Sequence, residues 1–446
     1  MELPKDFIDK MNNLLGDDAP NFFAALEQPS QKAITVNFDR LNENNFTDLC
    51  DFEIEKIPMI ENGYFVNNLK FSKNILSHLG IIYSQEPSAM YPVELLDVKP
   101  GDYVLDVCAS PGGKSVQILE KLKGEGFLLS NEIVYNRTKI LYENLNRMGF
   151  KNFAISCNSP EELSNCKNKF DKIIIDAPCG GEGMFRKENF DFHAYHPESI
   201  DSNSNRQLSI LENVKHLLRE GGRLVYSTCT YDVRENEEVV NNFLTANPNF
   251  KLIHMEGFED VTSSGIDVGH NTNLCYRRYP HKHPGEGQFM AVLEKLGDED
   301  IFITNFNNDK FAPISNKDKK MLGDNLSKIC DINYKNIVKK DSNYYLLPDE
   351  TLSLENLNIV CIGCVIGNYN GKAFKINHNF YHTYGNTFKL TTNLEKEDIL
   401  KYLHGEEIDT ISPNGVCVVC YKNIPLGGSK IVNGKLKNYY PKELRI

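Results

Sequence analysis

Two cysteines and an aspartate frame the chemistry open to this chain. Asp176-Ala177-Pro178-Cys179 closes one apolar run, DKIIIDAP, and Ser227-Thr228-Cys229-Thr230 closes another, RLVYSTCT. A lone cysteine is ordinarily an inert small hydrophobe. Two at the ends of two strands, with a carboxylate beside one of them, form a nucleophilic constellation: thiolates attack and carboxyl groups move protons. Alkylation at carbon 5 of cytosine is a reaction that needs such a set. That carbon is a poor nucleophile until a thiolate adds to carbon 6 and makes it enamine-like. A carboxylic acid hydrogen-bonded to ring nitrogen 3 absorbs the electron density. A second thiol can assist when the carbon 5 proton leaves and the enzyme–base bond breaks. The base must leave its stack to enter such a pocket.

Positioning falls to an α/β rhythm. YVLDVCA (103–109), GFLLSNE (126–132), FAISC (153–157), DKIIIDAP (171–178) and RLVYSTCT (223–230) are short, continuous apolar runs. Helical segments are expected over 115–122, 135–148, 206–218 and 235–244, with QFMAVLEK (288–295) as a closing strand. Buried, non-alternating strands separated by helices make a mostly parallel sheet covered on both faces. Ligands of such sheets sit at the carboxyl ends of the strands. Asp106, Glu132, Asp176 and Cys229 all fall at or near those ends.

CASPGGKS (108–115) links the first core strand to its helix. Gly112 and Gly113 permit close backbone approach, and a helix N-terminus favours an anionic group, either a phosphate or an amino-acid carboxylate. Glu132 is placed for ribose hydroxyls. A P-loop needs glycine five residues before Gly113, where Cys108 stands, and no G-x-G-x-x-G follows a strand. A single nucleoside ligand with a carboxylate remains, and S-adenosylmethionine fits that description; a purely structural glycine turn is the rival reading.

LDVCASPGGKS, SNEIVYNRTKILYENLNRMG, IIIDAPCGGEGMFRK and LVYSTCTYDVRENEEVV resemble, in order, the motifs of the RNA 5-methylcytosine methyltransferases of the Sun/RsmB/RsmF type. YSQEPSAM (83–90) is similar to that family's lead-in segment. RRYPHKHPGEGQFMAVL (277–293) and GGSKIVNGKLKNYYPKELR resemble the RsmF branch of 16S rRNA cytosine methyltransferases. The resemblance implies a Rossmann-like class I methyltransferase core, S-adenosylmethionine as cofactor and structured RNA as substrate. Residue by residue, it makes Cys229 the nucleophile, Cys179 the cysteine of product release, and Asp176 the carboxylate beside cofactor and base. It makes Cys108, Ala109, Ser110, Pro111, Gly112, Gly113 and Lys114 the cofactor loop, with Glu132 on the ribose and Asn158 in the region of the adenine. Related DNA enzymes carry the nucleophile in Pro-Cys and RNA enzymes in Thr-Cys, so the order found here favours RNA. This chain departs from the pattern at Ser110 (usually Ala), Gly180 (usually Ser), Thr35 (usually Arg), Asn158 (usually acidic) and in GGSK, which lacks an aromatic.

The 446 residues suggest two to four domains. The expected division is an N-terminal α+β RNA-binding segment (1–90), the methyltransferase core (91–300), an accessory linker domain (301–370) and a small β-rich, PUA-like RNA-binding domain (371–446). Net charge is −12, yet residues 301–446 carry 19 basic and 15 acidic side chains. A basic end on an acidic enzyme suits RNA phosphates, although a solvated surface is the blander alternative. With 12 scattered cysteines, no signal segment and no long apolar run, the expectation is a cytoplasmic chain with free thiols, no membrane partner and a monomeric state. Cys361-x-x-Cys364 and Cys417-x-x-Cys420 mimic a zinc pattern, but both lie in strand-like runs where i and i+3 face apart, and His281, His283 and Glu286 read as a structural or RNA-facing turn, so no metal is expected. rRNA is the expected substrate. A tRNA substrate, a non-catalytic methyltransferase-fold RNA binder and a nucleotide hydrolase are the alternatives.

Overall fold

The computed structural model describes residues 3–186, 195–299, 305–333 and 336–446. Lys187, at the end of the IIIDAPCGGEGMFRK motif, and the expected boundary near 300 lie outside the described residues. At the N-terminus, α1 (Lys5–Leu15) and α2 (Ala19–Leu26) precede a four-stranded antiparallel sheet of β1 (Ala33–Val36), β2 (Glu53–Lys56), β3 (Gly63–Asn67) and β4 (Ile82–Ser84), in the order β2-β3-β1-β4.

The core is built on β5 (Tyr103–Asp106), α3 (Gly113–Leu122), β6 (Phe127–Asn131), α4 (Tyr135–Met148), β7 (Phe153–Ser156), β8 (Phe170–Asp176), α5 (Ile200–Val214), β9 (Leu218–Thr228) and α6 (Glu237–Ala246). Strands β7-β6-β5-β8-β9 are parallel neighbours in that order. Their apolar runs are continuous because both faces are covered; Val104, Leu105, Leu128, Leu129, Ile173, Ile174 and Ile175 are all fully buried. The chain winds from β5 outward through β6 to β7, then returns to β8 on the other side of β5. Beyond β9 the sheet continues through antiparallel β13 (Gln288–Lys295), flanked by β10 (Phe250–Leu252), and through β12 (Tyr276–Arg278) to β11 (Ser263–Ser264). The expected parallel core is present. Strand β9 starts five residues before the expected Arg223 and ends at Thr228, so Cys229 is the first residue beyond it.

Residues 301–370 do not stand apart from the core as a linker domain would. Strand β17 (Ile359–Ile362) pairs antiparallel with β7 and completes the large sheet. An exposed β7 edge would offer unpaired backbone groups, and the apolar run around Cys361 covers them. Gly363, at φ +55°, turns the chain straight into β18 (Cys364–Tyr369) of a second sheet; a Cβ there would lie 2.2 Å from the Leu346 carbonyl oxygen. Cys361 and Cys364 therefore belong to different sheets. That second sheet, in the order β14-β15-β16-β18-β19, uses β14 (Ala312–Pro313), β15 (Ile337–Lys340), β16 (Asn343–Leu346) and β19 (Phe374–Ile376).

Nor does residue 371 mark a clean break. Helix α7 (His378–Tyr384) shares a buried cluster with β16 and β18. The last sheet contains β20 (Thr391–Asn393), β21 (Ile408–Asp409), β22 (Gly415–Tyr421), β23 (Ile424–Val432) and β24 (Lys435–Asn438), with α8 (Lys396–His404) beside it. Its core continues into the N-terminal sheet, where Ile34, Val36 and Phe46 join Leu403, Val419, Leu426 and Leu436. Thr35, where the resemblance would place an arginine, is fully buried in this sheet.

Candidate active site

The winding of the sheet reverses between β5 and β8, and a crevice opens outside the carboxyl ends of strands at such a switch point. Asp106 ends β5, Asp176 ends β8, and Cys179 and Cys229 follow β8 and β9. Parallel pairing sets Asp176 opposite Ser227, which carries the two following turns into register. Cys179 Sγ lies 3.4 Å from Cys229 Sγ and also accepts from the Cys229 backbone N–H at 3.4 Å. The contact with Cys229, then burial, pushes the Cys179 thiol well above the usual thiol range.

Asp176 accepts from Lys114 Nζ at 2.6 Å and from Ser227 Oγ at 2.8 Å. Burial opposes the charge on Lys114, but the adjacent Asp176 outweighs it and raises the ammonium pKa. From the sequence Lys114 is a member of the cofactor loop; in the fold its long stem crosses to Asp176.

Two further carboxylates, which the sequence reading does not single out, tie the cysteine turns together. Glu235, beyond Cys229, accepts from the Gly180 backbone N–H at 3.1 Å, next to Cys179, and from Gln207 Nε2 at 3.0 Å. A Cβ on Gly180 would lie 3.1 Å from Glu235 Oε2, so this carboxylate occupies the space beside the glycine. Glu182, beyond Cys179, accepts from Thr230 Oγ1 at 3.0 Å, the Tyr231 N–H at 3.2 Å and Tyr195 O–H at 3.0 Å. Each turn thus holds the other, and Gly183 N–H adds a bond to the Cys229 carbonyl at 2.7 Å. Lys10 from α1 pairs with Glu182 and, at 2.9 Å, with Asp232. Phe7, Met11, Phe22 and Leu26 pack α1 and α2 against Phe185, Tyr195, Tyr231 and Tyr279. A buried acid in a loop carries no periodic signal, which is why neither glutamate is visible without the fold.

The loop 108–115 presents the N-terminus of α3 to the same crevice. Gly112 takes φ +120°, a conformation L side chains rarely adopt. Ser110 and Arg137 brace the loop through Ser110 Oγ to the Arg137 carbonyl at 3.2 Å and Arg137 Nη2 to the Ser110 carbonyl at 2.8 Å. The Ala109 N–H donates to the Asn131 carbonyl at 2.8 Å. Asp106 is fully buried; Oδ2 accepts from Ser115 Oγ at 2.7 Å while Oδ1 has no partner, and burial lifts its pKa to about 7. Burial pushes Cys108 upward as well. Glu132 is buried, with Oε1 held by the Val134 N–H at 2.9 Å and Oε2 3.4 Å from Arg137. An orphaned buried oxygen, a positive-φ glycine at a helix start and a fixed acid at the next strand end fit a nucleoside with an amino-acid tail. Asn158 is placed differently from a free adenine contact. Its Oδ1 accepts from the Asn358 N–H at 3.1 Å and its Nδ2 donates to Glu162 at 3.5 Å, so the side chain ties β17 to the core.

Of the remaining sequence candidates, His281 bonds Asp18 at 3.0 Å, His283 bonds Ser263 at 3.2 Å and Glu286 holds Arg186 at 3.0 Å. These contacts stitch the N-terminal helices and the β12–β13 connection. Among the described residues no helix is long and apolar enough to cross a membrane.

The model of the 16S rRNA methyltransferase RsmB/F family matches residues 93–294. That of the N-terminal domain of 16S rRNA methyltransferase RsmF matches 3–87, and that of the methyltransferase RsmF PUA domain matches 389–446. The chain belongs to the RsmB/F family of methyltransferases. Ribosomal RNA small subunit methyltransferase F of Serratia proteamaculans is 27% identical over 470 residues, covering 99% of this chain and 96% of the relative. The protein of that name from Shewanella oneidensis is 29% identical over 446 residues, covering 95% and 92%. Among solved structures, a methyltransferase homologue of Pyrococcus horikoshii superposes with a TM-score of 0.59 at 28% identity, covering 66% of this chain and 96% of its own. The RsmB/F resemblance of the motifs and the Rossmann-like methyltransferase fold, with its PUA domain at the C-terminus, are thereby established.

Proposed function

We propose that this RsmB/F-family chain methylates carbon 5 of a cytosine in small-subunit rRNA, acting in the cytoplasm as a monomer on RNA or on a small ribosomal subunit. The close pair Cys179–Cys229 beside Asp176, at 3.4 Å, carries this reading. Bound S-adenosylmethionine supplies an electrophilic methyl group on its sulfonium. The α3 N-terminus and the 108–114 loop hold its amino-acid tail, and Glu132 its ribose.

Cys179 keeps its proton and donates to Cys229, which concentrates negative charge on the nucleophile. The Cys229 thiolate adds to carbon 6 of the everted cytosine, and the carbon 5–carbon 6 π pair becomes available at carbon 5. The density displaced into the ring gathers at nitrogen 3, beside Asp176, whose Lys114 ammonium partner supplies the positive charge and, through the carboxylate, a proton that returns when the ring double bonds re-form. Carbon 5 takes the methyl group. With Cys229 now a neutral thioether, Cys179, which is part-exposed at the mouth, passes its proton to solvent water, and the thiolate so formed takes the proton on carbon 5. The carbon 5 electron pair then re-forms the double bond and expels the Cys229 thiolate.

The test is transfer of labelled methyl to RNA from a bacterium lacking this protein, with size separation and nucleoside analysis. Label in 5-methylcytosine of 16S rRNA is expected; label confined to tRNA, or none with naked rRNA and intact subunits both tried, overturns the reading. Cys229→Ala should abolish transfer. Cys179→Ala should leave RNA covalently attached and resistant to denaturant, and absence of that adduct would reassign the second thiol.

A further inference from the structure

A cleft of about 1260 Å³ separates α4 of the core from the C-terminal sheet and α7. It exceeds the roughly 300–1,000 Å³ usual for a small-molecule pocket. Its walls are fixed before anything binds. Asn379 Nδ2 donates to Tyr142 O–H at 3.1 Å, His382 bonds the Arg147 carbonyl at 2.8 Å, and Asn144 Nδ2 donates to the Pro111 carbonyl at 2.9 Å. The last bond joins the cleft to the cofactor loop, and α4 itself begins three residues after Glu132. One wall of the cleft is therefore tied directly to the loop 108–115.

Its lining mixes apolar surface with charged side chains, among them Glu143 and Glu443 as well as lysines. Lys139, Lys375 and Lys430 are exposed at the cleft, and among the described residues none of the three is in an ion pair. Tyr439 leaves 47% of its surface exposed there. His378 Nδ1 is buried without a hydrogen-bond partner, and burial lowers that imidazole to about 4, leaving it neutral. Unpaired cations in a chain of net charge −12 suit a polyanion, an exposed ring suits a base face, and neutral imidazole and amide groups suit base edges.

We infer that this cleft takes an unpaired stretch of the substrate RNA next to the target cytosine, with phosphates at Lys375 and Lys430 and a base stacked on Tyr439. The inference rests on the RNA-methylation reading and locates where the RNA outside the reacting base is held. Open strands suit such a cleft better than a duplex, because their bases can be splayed onto side chains.

The test is equilibrium binding of the full-length chain to naked small-subunit rRNA over a range of salt, with S-adenosylmethionine affinity measured in parallel. Lys375→Ala/Lys430→Ala should weaken RNA binding and flatten the slope of log affinity against log salt by about 1.4, at roughly 0.7 per phosphate contact. Tyr439→Ala should cost about tenfold, the order of one lost stacked base. Lys375→Arg/Lys430→Arg should keep both affinity and slope, and cofactor affinity should be unchanged throughout. Unaltered RNA affinity and salt slope in the alanine variants would overturn the inference. So would a loss seen with assembled subunits but not with naked rRNA, which would make a ribosomal protein the occupant. Because binding rather than turnover is read, a chain that binds RNA through these residues yet leaves cytosine unmethylated would sink the proposed function alone.

Discussion

Replacing Glu182 by glutamine tests whether the cysteine turns hold each other. One Glu182 oxygen receives Tyr195 O–H and Lys10; the other receives Thr230 Oγ1 and the Tyr231 N–H. Glutamine has the same shape but puts an NH2 where one oxygen was, so a donor must face donors on one side. Set against the ammonium, it loses the charge pair; set against the turn, it loses the Tyr231 N–H. A buried hydrogen bond to a charged group is worth about 1.5–3 kcal/mol, so the turn after Cys229 is loosened by about that amount. A thiolate misplaced by about 1 Å loses on the order of 100-fold in rate. The expectation is a kcat lower by about 10- to 100-fold with the S-adenosylmethionine Kd unchanged, since Glu182 lies outside the 108–115 loop. Lys10→Met should cost less, because Tyr195, Thr230 and Tyr231 still hold the carboxylate. The double variant should be no worse than Glu182→Gln, since both act through one cluster. A wild-type kcat in Glu182→Gln, or losses that multiply in the double variant, would refute the reasoning.

Gly112→Ala forces a side chain onto φ +120° with its Cβ 3.1 Å from Leu141 Cδ1; S-adenosylmethionine affinity measured by calorimetry should drop by about tenfold or more, at a strain of about 1–3 kcal/mol. Asp106 gives a pH signature. Its carboxyl is raised from 3.8 to about 7 chiefly by burial, so the folded state binds the extra proton. Its contribution, up to about 4 kcal/mol, is present below pH 4 and lost as pH rises through 7. The urea midpoint of the cofactor-free chain should therefore fall between pH 5 and pH 8 more steeply in the wild type than in Asp106→Asn. Parallel profiles would show that Asp106 does not carry that proton.

The core strands are legible in the sequence because burial on both faces leaves runs such as DKIIIDAP uninterrupted, and QFMAVLEK matches β13 residue for residue. The strand-end positions of Asp106, Asp176 and Cys229 follow from the same pattern. What the pattern lacks is any account of edges. The run around Cys361 is apolar because it closes the core sheet against β7, yet in sequence it lies well beyond the core motifs, and its pairing is a contact across 200 residues such as Asn158 to Asn358. The same distance hides the bond that Asn158 makes to Asn358, in addition to the cofactor-side place the resemblance gives it. Lys114 is legible as a loop member but not as the Asp176 partner, since its reach depends on where β8 ends.

The N-terminal segment makes contacts that no sequence pattern announces. Read from sequence it is an RNA-binding segment; in the fold its first helices also pack behind the turns that carry Cys179 and Cys229. Lys10 meets Glu182 and Asp232, and Phe7 packs 4.8 Å from the Phe185 ring, edge to face. Two turns bearing thiols 3.4 Å apart must resist the freedom of glycine-rich backbone at Gly180, Gly181 and Gly183. Reciprocal carboxylates supply part of that restraint, and a cation delivered from α1 keeps one of those carboxylates paired inside the protein. An isolated buried carboxylate is costly and shifts toward its neutral form, in which it donates one hydrogen and loses an acceptor. Removal of α1 and α2 therefore acts on the catalytic turns through Glu182, not only on RNA affinity. A chain beginning at the β1 strand would then show a lowered kcat with saturating RNA, and an unchanged kcat with a raised RNA KM would return the segment to a purely binding role.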